Sequence, residues 1–348
     1  MKSDLLIGIE LTRHCNLRCG HCFRADLDKF SEIPVEIVRK ILNEALIYGK
    51  PHIGLTGGEA TLHRQFPEIL QMIIDHGFGF HFVTNGFNYK TVFKNLFPIL
   101  DHPLFEGVSF SLDGATPETH DGIRGPGSFN RVLAGIAICS VHKKEVAAQT
   151  VIHRGNRHEL SALALLCSKM GVSRFYLAHM QPTPHAVKHG LLHTPEECRQ
   201  VEKEIADLQS QFKLPIYLSA GFYDPTPVAH CKFLKMTSLN INYRGELTMC
   251  CQLSNMEGSE GNVDVIADLS KVSLQDAHRQ VVASYHEVFQ ARLDKIANHT
   301  HQDIDNFHCW SCMKHTKKVE WMRQFPENDW VKSDSYFQKK PLKQLKVL

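Results

Sequence analysis

The chain has 348 residues, of which 43% are hydrophobic and 22% charged, the composition of a globular protein with a sizeable core. A formal net charge of +2 gives no case for nucleic acid as a partner, and no apolar run is long enough to span a membrane as a helix. The opening MKSDLLIGIELTRHC is too short an apolar stretch for a signal peptide, so a cytoplasmic location is expected, and eleven cysteines in a reducing compartment argue for metal ligation or buried thiols rather than disulfides.

Through residue 182 the chain alternates β-rich runs with amphipathic stretches. Strands are predicted at 5–12, 52–57, 81–85, 107–113, 146–153 and 174–180. Helices are predicted at 35–48, 66–76, 129–142 and 159–170. Such alternation implies right-handed βαβ units and a parallel sheet, with ligands at the carboxyl ends of the strands. A helix over 195–212 follows, with Thr194 as N-cap and Pro195 at its first position. Then come a strand at 215–222, a hairpin over 238–252 turning at Arg244-Gly245, and a helix over 274–294. The expected fold is α/β, a partial (β/α)6 TIM-like barrel with a C-terminal extension. The expected division is a barrel core over 1–212, an auxiliary domain over 213–325 and a basic tail over 326–348.

The densest signal is Cys15-Asn16-Leu17-Arg18-Cys19-Gly20-His21-Cys22, a C-x3-C-x2-C run just after the first strand. Soft thiolates at this spacing suit one face of a [4Fe–4S] cubane. Three cysteines serve three irons and leave the fourth open for a chelating ligand. A zinc site with a distant fourth ligand is the alternative. Thr56-Gly57-Gly58-Glu59 ends the second strand, where two glycines admit a close backbone approach and a carboxylate can take a cationic amine. Thr84-Asn85-Gly86 ends the third. Ser111 and Asp113 share a face at the end of the fourth, within Ser111-Leu112-Asp113-Gly114, followed by His120-Asp121-Gly122-Ile123-Arg124-Gly125 and Gly127-Ser128-Phe129.

These motifs together resemble the radical S-adenosylmethionine (SAM) superfamily, in the branch that holds anaerobic sulfatase-maturating enzymes and peptide-modifying maturases. The resemblance covers nearly the whole chain and is densest in the first 130 residues. It implies that Cys15, Cys19 and Cys22 hold a [4Fe–4S] cluster whose open iron binds the methionine end of SAM. It assigns Glu59, beside Gly57 and Gly58, to the methionine amine, and Arg124 to the carboxylate, which suits a planar, permanently charged donor. It assigns Ser111 to the ribose, whose hydroxyls the Asp113 carboxylate on the same face can also hydrogen-bond, and places Asn85 near the cofactor or substrate. His21 precedes the third cysteine, where the family has an aromatic residue against the adenine.

Cys231, Cys250, Cys309 and Cys312 form a second constellation: C-x13-G-x4-C around the hairpin, then a C-x2-C pair. Four thiolates can close a second cubane, or a structural zinc site. The pattern resembles the SPASM and twitch auxiliary-cluster extensions. No cysteine follows Cys312, so the shorter twitch form with one auxiliary [4Fe–4S] cluster is expected. Cys251 is the alternative to Cys250. Cys139, Cys167 and Cys198 fall on predicted helices and read as buried thiols.

The resemblance therefore implies an enzyme, a radical SAM oxidoreductase or maturase. It would cleave SAM reductively to a 5′-deoxyadenosyl radical, abstract a substrate hydrogen and oxidise the substrate radical through the auxiliary cluster. A flavodoxin- or ferredoxin-type reductant is expected. Strand one begins within the first few residues, which shifts weight from a built-in leader-peptide domain toward a small molecule or a peptide presented by another protein. Candidates for a general base are Glu10, His179 and Asp224. A non-catalytic iron–sulfur or zinc scaffold is the reading of another class, and Glu59, Ser111 and Arg124 argue against it.

Overall fold

The computed structural model describes residues 2–24, 31–226, 231, 236–258 and 262–338. The part of the expected tail over 339–348 lies outside them. The first six strands are β1 (Lys2–Glu10), β2 (Lys50–Thr56), β3 (Phe80–Thr84), β4 (Phe105–Ser111), β5 (Glu145–Ile152) and β6 (Arg174–His179). Each runs parallel to the next. Helices α1 (Val35–Ala45), α2 (Phe66–Asp75), α3 (Tyr89–Leu96), α4 (Pro117–Arg124), α5 (Ser128–Val141), α6 (Leu160–Lys169) and α7 (Pro184–Lys188) lie between and after them. The α1 sequence buries Val35, Val38, Ile41, Leu42 and Ala45, the stripe that a 3.6-residue period predicts. Along β5, Val146, Ala148, Thr150 and Ile152 are buried in strict alternation.

The parallel run continues beyond the six expected strands. After α8 (Pro195–Gln211), β7 (Ile216–Ala220) pairs parallel with β6. Helix α8 starts where the sequence predicts: the Thr194 hydroxyl accepts from the Glu197 amide at 3.1 Å, and the Glu197 carboxylate accepts from the Thr194 amide at 2.7 Å. At the opposite edge, β8 (Ser238–Ile241) pairs parallel with β1, in register from Leu6↔Ser238 to Ile9↔Ile241. Then β9 (Glu246–Thr248) and β10 (Val265–Asp268) extend the sheet antiparallel. The result is one ten-stranded sheet in the order β10-β9-β8-β1-β2-β3-β4-β5-β6-β7, an open barrel with edges at β7 and β10.

The turn at Arg244-Gly245 is built by Asn242, whose side-chain oxygen accepts from the Arg244 and Glu246 amides at 2.9 and 3.1 Å. Gly245 takes φ +77°. Helix α9 (Leu274–Ala297) packs on α1, and α10 (His308–His315) carries Cys309 and Cys312.

Candidate functional site

The loop after β1 carries the cysteine triad, and the chain beyond β2 is laid directly on it. Hydrogen bonds run past both strand ends: Leu11 N–H donates to Thr56 O at 2.8 Å, Gly58 N–H to Thr12 O at 2.7 Å and Glu59 N–H to His14 O at 2.9 Å. A Cβ on Gly58 would stand 2.4 Å from His14 O and 2.5 Å from Arg13 O; one on Gly57 would meet Thr12 O at 2.5 Å. Close approach of two backbones therefore explains the glycine pair.

Glu59 follows, buried. Its Oε1 accepts from the Thr61 and Thr84 hydroxyls at 2.6 and 2.8 Å, and its Oε2 from the Asn85 amide at 2.8 Å. Burial pushes its carboxyl above the usual range, against the pull of those donors. The Asn85 side chain donates to Asn16 Oδ1 at 2.8 Å and lies 3.7 Å from Cys15 Sγ. The ends of β2 and β3 thus both brace the cysteine loop.

From the other side come β4 and α4. Asp113 is completely buried. Its Oδ2 stands 2.9 Å from His21 Nε2 and accepts from Arg124 Nε, while its Oδ1 accepts from the Val151 amide at 2.8 Å. Burial alone would raise this carboxyl, but Arg124 and His21 hold it well below the usual carboxylate range. Arg124 lies 3.8 Å from Cys19 Sγ through Nη1 and 3.4 Å from His21 Nε2 through Nη2. The Gly20 amide donates to Ile123 O at 2.9 Å, tying the triad to the end of α4. Burial pushes the Cys15 and Cys19 thiols up to about 12 and about 11.

The structure thus brings together Cys15, Cys19, Cys22, His21, Gly57, Gly58, Glu59, Asn85, Asp113 and Arg124. Ser111 ends β4, half-buried, with no role fixed by these contacts. Sequence reasoning missed several supports. Asn156 donates to Asp113 O at 3.0 Å and to Val151 O at 2.9 Å, and Glu159 accepts from Ala115 N, Thr116 and Thr119 at the start of α4. His153 stands 6.2 Å from His21, ring to ring, held neutral by burial with its pKa lowered to about 4.

The second constellation gathers beside β7, β9 and α10. Cys309 and Cys312 are pushed up to about 12, first by burial and further by the neighbouring Cys231 thiol. Cys250 and Cys251 both lie beside this group. Backbone amides aim at the sulfurs: Gly221 N–H at Cys309 Sγ (3.2 Å) and Gln252 N–H at Cys250 Sγ (3.4 Å), as Leu17 N–H does at Cys15 Sγ (3.4 Å). Such bonds suit thiolate ligands. Among the described residues no three His, Cys, Asp or Glu side chains close round one point as a single ion requires. A cubane is ligated at separate corners and asks for a wider spread. The three thiols of the first group have the donor chemistry of an iron–sulfur cluster.

The three general-base candidates lie on different elements, though Glu202 Oε1 meets both His179 Nε2, at 3.5 Å, and the amide of Tyr223, the residue before Asp224, at 2.7 Å. Glu10 is ion-paired with Arg24 at 2.7 Å. His179 lies buried at the end of β6, 3.5 Å from Glu202. Asp224 caps the turn at Thr226. Cys139, Cys167 and Cys198 are buried in α5, α6 and α8.

Residues 9–166 match the Radical SAM superfamily. This stretch is a radical SAM domain, and it holds the triad, Glu59, Asp113 and Arg124. Among curated relatives, the chain is 30% identical over 181 residues to an AdoMet-dependent heme synthase of Methanosarcina barkeri, covering 51% of each chain. It is 30% identical over 175 residues to the mycofactocin maturase MftC of Mycobacterium tuberculosis, covering 50% of this chain and 44% of that one. The chain therefore spans about half the length of the curated relatives it matches. Its fold resembles that of Streptococcus suis SuiB, solved with the precursor peptide SuiA (17% identity, TM-score 0.62, 77% of this chain and 64% of that one). It equally resembles that of anSMEcpe, solved with AdoMet (14% identity, TM-score 0.61, 82% and 83%). Among the described residues no helix is long and apolar enough to cross a membrane.

Proposed function

We propose that the protein is a radical SAM enzyme with one auxiliary [4Fe–4S] cluster, which oxidises a small-molecule or peptide substrate at a C–H bond. The observation that carries this reading is the single buried network joining the triad loop to Glu59, Asn85, Asp113 and Arg124 at the carboxyl ends of β1–β4. When bound, the first cluster would supply the electron for reductive cleavage of SAM, and the second would accept the electron released as the substrate radical is oxidised.

The chain's own residues bind and orient. Glu59 keeps an acceptor direction at Oε2 for a cationic amine. Asp113 holds the Arg124 fork with Nη1 and Nη2 turned toward the triad, where a carboxylate would meet it. His21 is fixed by Asp113 beside the third cysteine. Cys15, Cys19 and Cys22 would hold the first cluster. Cys231, Cys309 and Cys312, with Cys250 or Cys251, would hold the second. A scaffold protein has no use for the buried Asp113–Arg124–His21 clamp, which is costly to desolvate. Relatives named as a heme synthase and a maturase support a role in making or maturing a biosynthetic product.

Anaerobic reconstitution with iron and sulfide tests this. The wild type should take up about eight irons and a Cys15/Cys19/Cys22→Ala variant about four. Dithionite should convert SAM to 5′-deoxyadenosine with the wild type only. About four irons in the wild type would remove the auxiliary cluster, and no 5′-deoxyadenosine would remove the radical reading itself.

A further inference from the structure

Strand β5 runs into a turn built around one imidazole. The Gly155 amide donates to His153 Nδ1 at 3.0 Å, and the His153 amide donates to Asn156 Oδ1 at 2.9 Å. The His153 carbonyl accepts from the Asn156 and Arg157 amides, both at 3.1 Å. Asn156 Nδ2 in turn donates to Asp113 O at 3.0 Å, which ties the turn to the clamp at the end of β4. A Cβ on Gly155 would stand 2.9 Å from His153 Cε1, so the glycine lets the chain close over the ring. His153 is 3% exposed, and its ring lies 6.2 Å from that of His21.

These bonds decide which nitrogen carries the proton. Nδ1 accepts, and burial holds the ring neutral, so its one proton is on Nε2. That N–H is buried and has no hydrogen-bond partner among the described residues. An unpaired buried donor costs stability. A role in the turn alone does not call for it. An Asn or Asp at this position would accept from the Gly155 amide as well, without burying a second polar nitrogen. The imidazole carries a donor beyond the turn, and a ligand can give it a partner.

The resemblance gives the methionine carboxylate of SAM to Arg124 and the ribose to Ser111, and sets the adenine against His21. The adenine ring nitrogens are then the acceptors left without a donor. We propose that His153 is a specificity-determining residue for SAM, its Nε2–H donating to a ring nitrogen of the adenine. A donor fixed in place before the cofactor arrives gives affinity, and it rejects a purine with C–H at the contacted position. The inference rests on the SAM site proposed above.

The test is binding to the anaerobically reconstituted enzyme, measured by calorimetry with SAM and with its 1-deaza, 3-deaza and 7-deaza analogues. Each analogue replaces one ring nitrogen by C–H. The wild type should bind one of the three about tenfold more weakly than SAM. His153→Asn keeps the bond from Gly155 and loses the reach. It should bind SAM about tenfold more weakly, and that one analogue no worse than SAM. Should this variant fail to load its iron, His153→Phe, which keeps a flat ring, takes its place. Loss of packing alone would weaken all four ligands alike. Equal wild-type affinity for SAM and all three analogues, or a variant that keeps the wild-type preference, would overturn the role of His153 and leave the SAM site standing. No binding of SAM by the wild type would overturn that site and the inference with it.

Discussion

Asp113 shows how much of the clamp depends on one carboxylate. It is completely buried, and the structure gives it Arg124, His21 and the Val151 amide as partners. Asp113→Asn keeps the shape and removes the charge, leaving the buried guanidinium uncompensated. The expected loss is about 3 kcal/mol of folding stability at neutral pH, and SAM should bind about tenfold more weakly or worse because the Arg124 fork is no longer held. The pH dependence has a definite sign. The folded carboxyl is depressed, so its contribution is complete above the ordinary carboxylate value of about 3.9 and is lost as pH falls through the folded value below it. Urea titrations of wild type and variant should therefore differ most at neutral pH and converge in acid. The sequence showed Asp113 and Arg124 as members of a dense motif. It did not show that they bind each other, because a motif records positions and not which pairs of them touch. Arg24, Asn156 and His153 went unnoticed for a related reason: each is a single residue whose meaning lies in a partner far along the chain.

At the scale of elements, strands and helices were legible where periodicity was clean. Strand β5 and helix α8 lie within one residue of their expected bounds at either end, because strict alternation and a capping box are local signals. Helix α10 was not legible as a helix. Its eight residues carry no long apolar period, and it is held instead by buried charges. Lys314 Nζ donates to Asp305 at 2.9 Å and to Asp334 at 2.5 Å, and Trp310 Nε1 donates to the same Asp334 oxygen at 2.8 Å. These bonds set the orientation of Cys309 and Cys312. The Asp305 carboxyl would be raised by burial but is brought down to about 2, chiefly by Lys314. Its stabilisation is full above about pH 3.9 and lost as pH falls toward 2, and it amounts to about 2 kcal/mol at neutral pH. Asp305→Asn should lower the urea midpoint accordingly. It should also cost about half the reconstituted iron while sparing the signal of the triad cluster. Loss of stability with both clusters retained would show that α10 holds its cysteines without this pair.

The whole molecule is less divisible than its sequence suggests. The expected division falls after residue 212, yet the sheet passes through it on both sides. Strand β7 continues the parallel run, and β8 returns to cover the open edge of β1. That pairing joins residues more than two hundred positions apart, and no local pattern announces it. Side chains reinforce the seam: Lys40 Nζ donates to Val272 O at 2.8 Å, the Leu274 amide to Glu44 at 2.6 Å, and Tyr48 meets His278 at 2.9 Å. Unfolding the C-terminal part alone would expose the β1 edge and the α1 face together, so the two parts should unfold as one. The chain supplies its own probe, since all three tryptophans (Trp310, Trp321 and Trp330) lie in the last forty residues. Tryptophan fluorescence reports only that part, while far-ultraviolet circular dichroism reports every helix and strand. In urea the two signals of the apoprotein should trace one coincident transition. A fluorescence transition at clearly lower urea would mean that the cysteine-bearing extension opens first, and that the β1–β8 seam is too weak to make the sheet one cooperative unit.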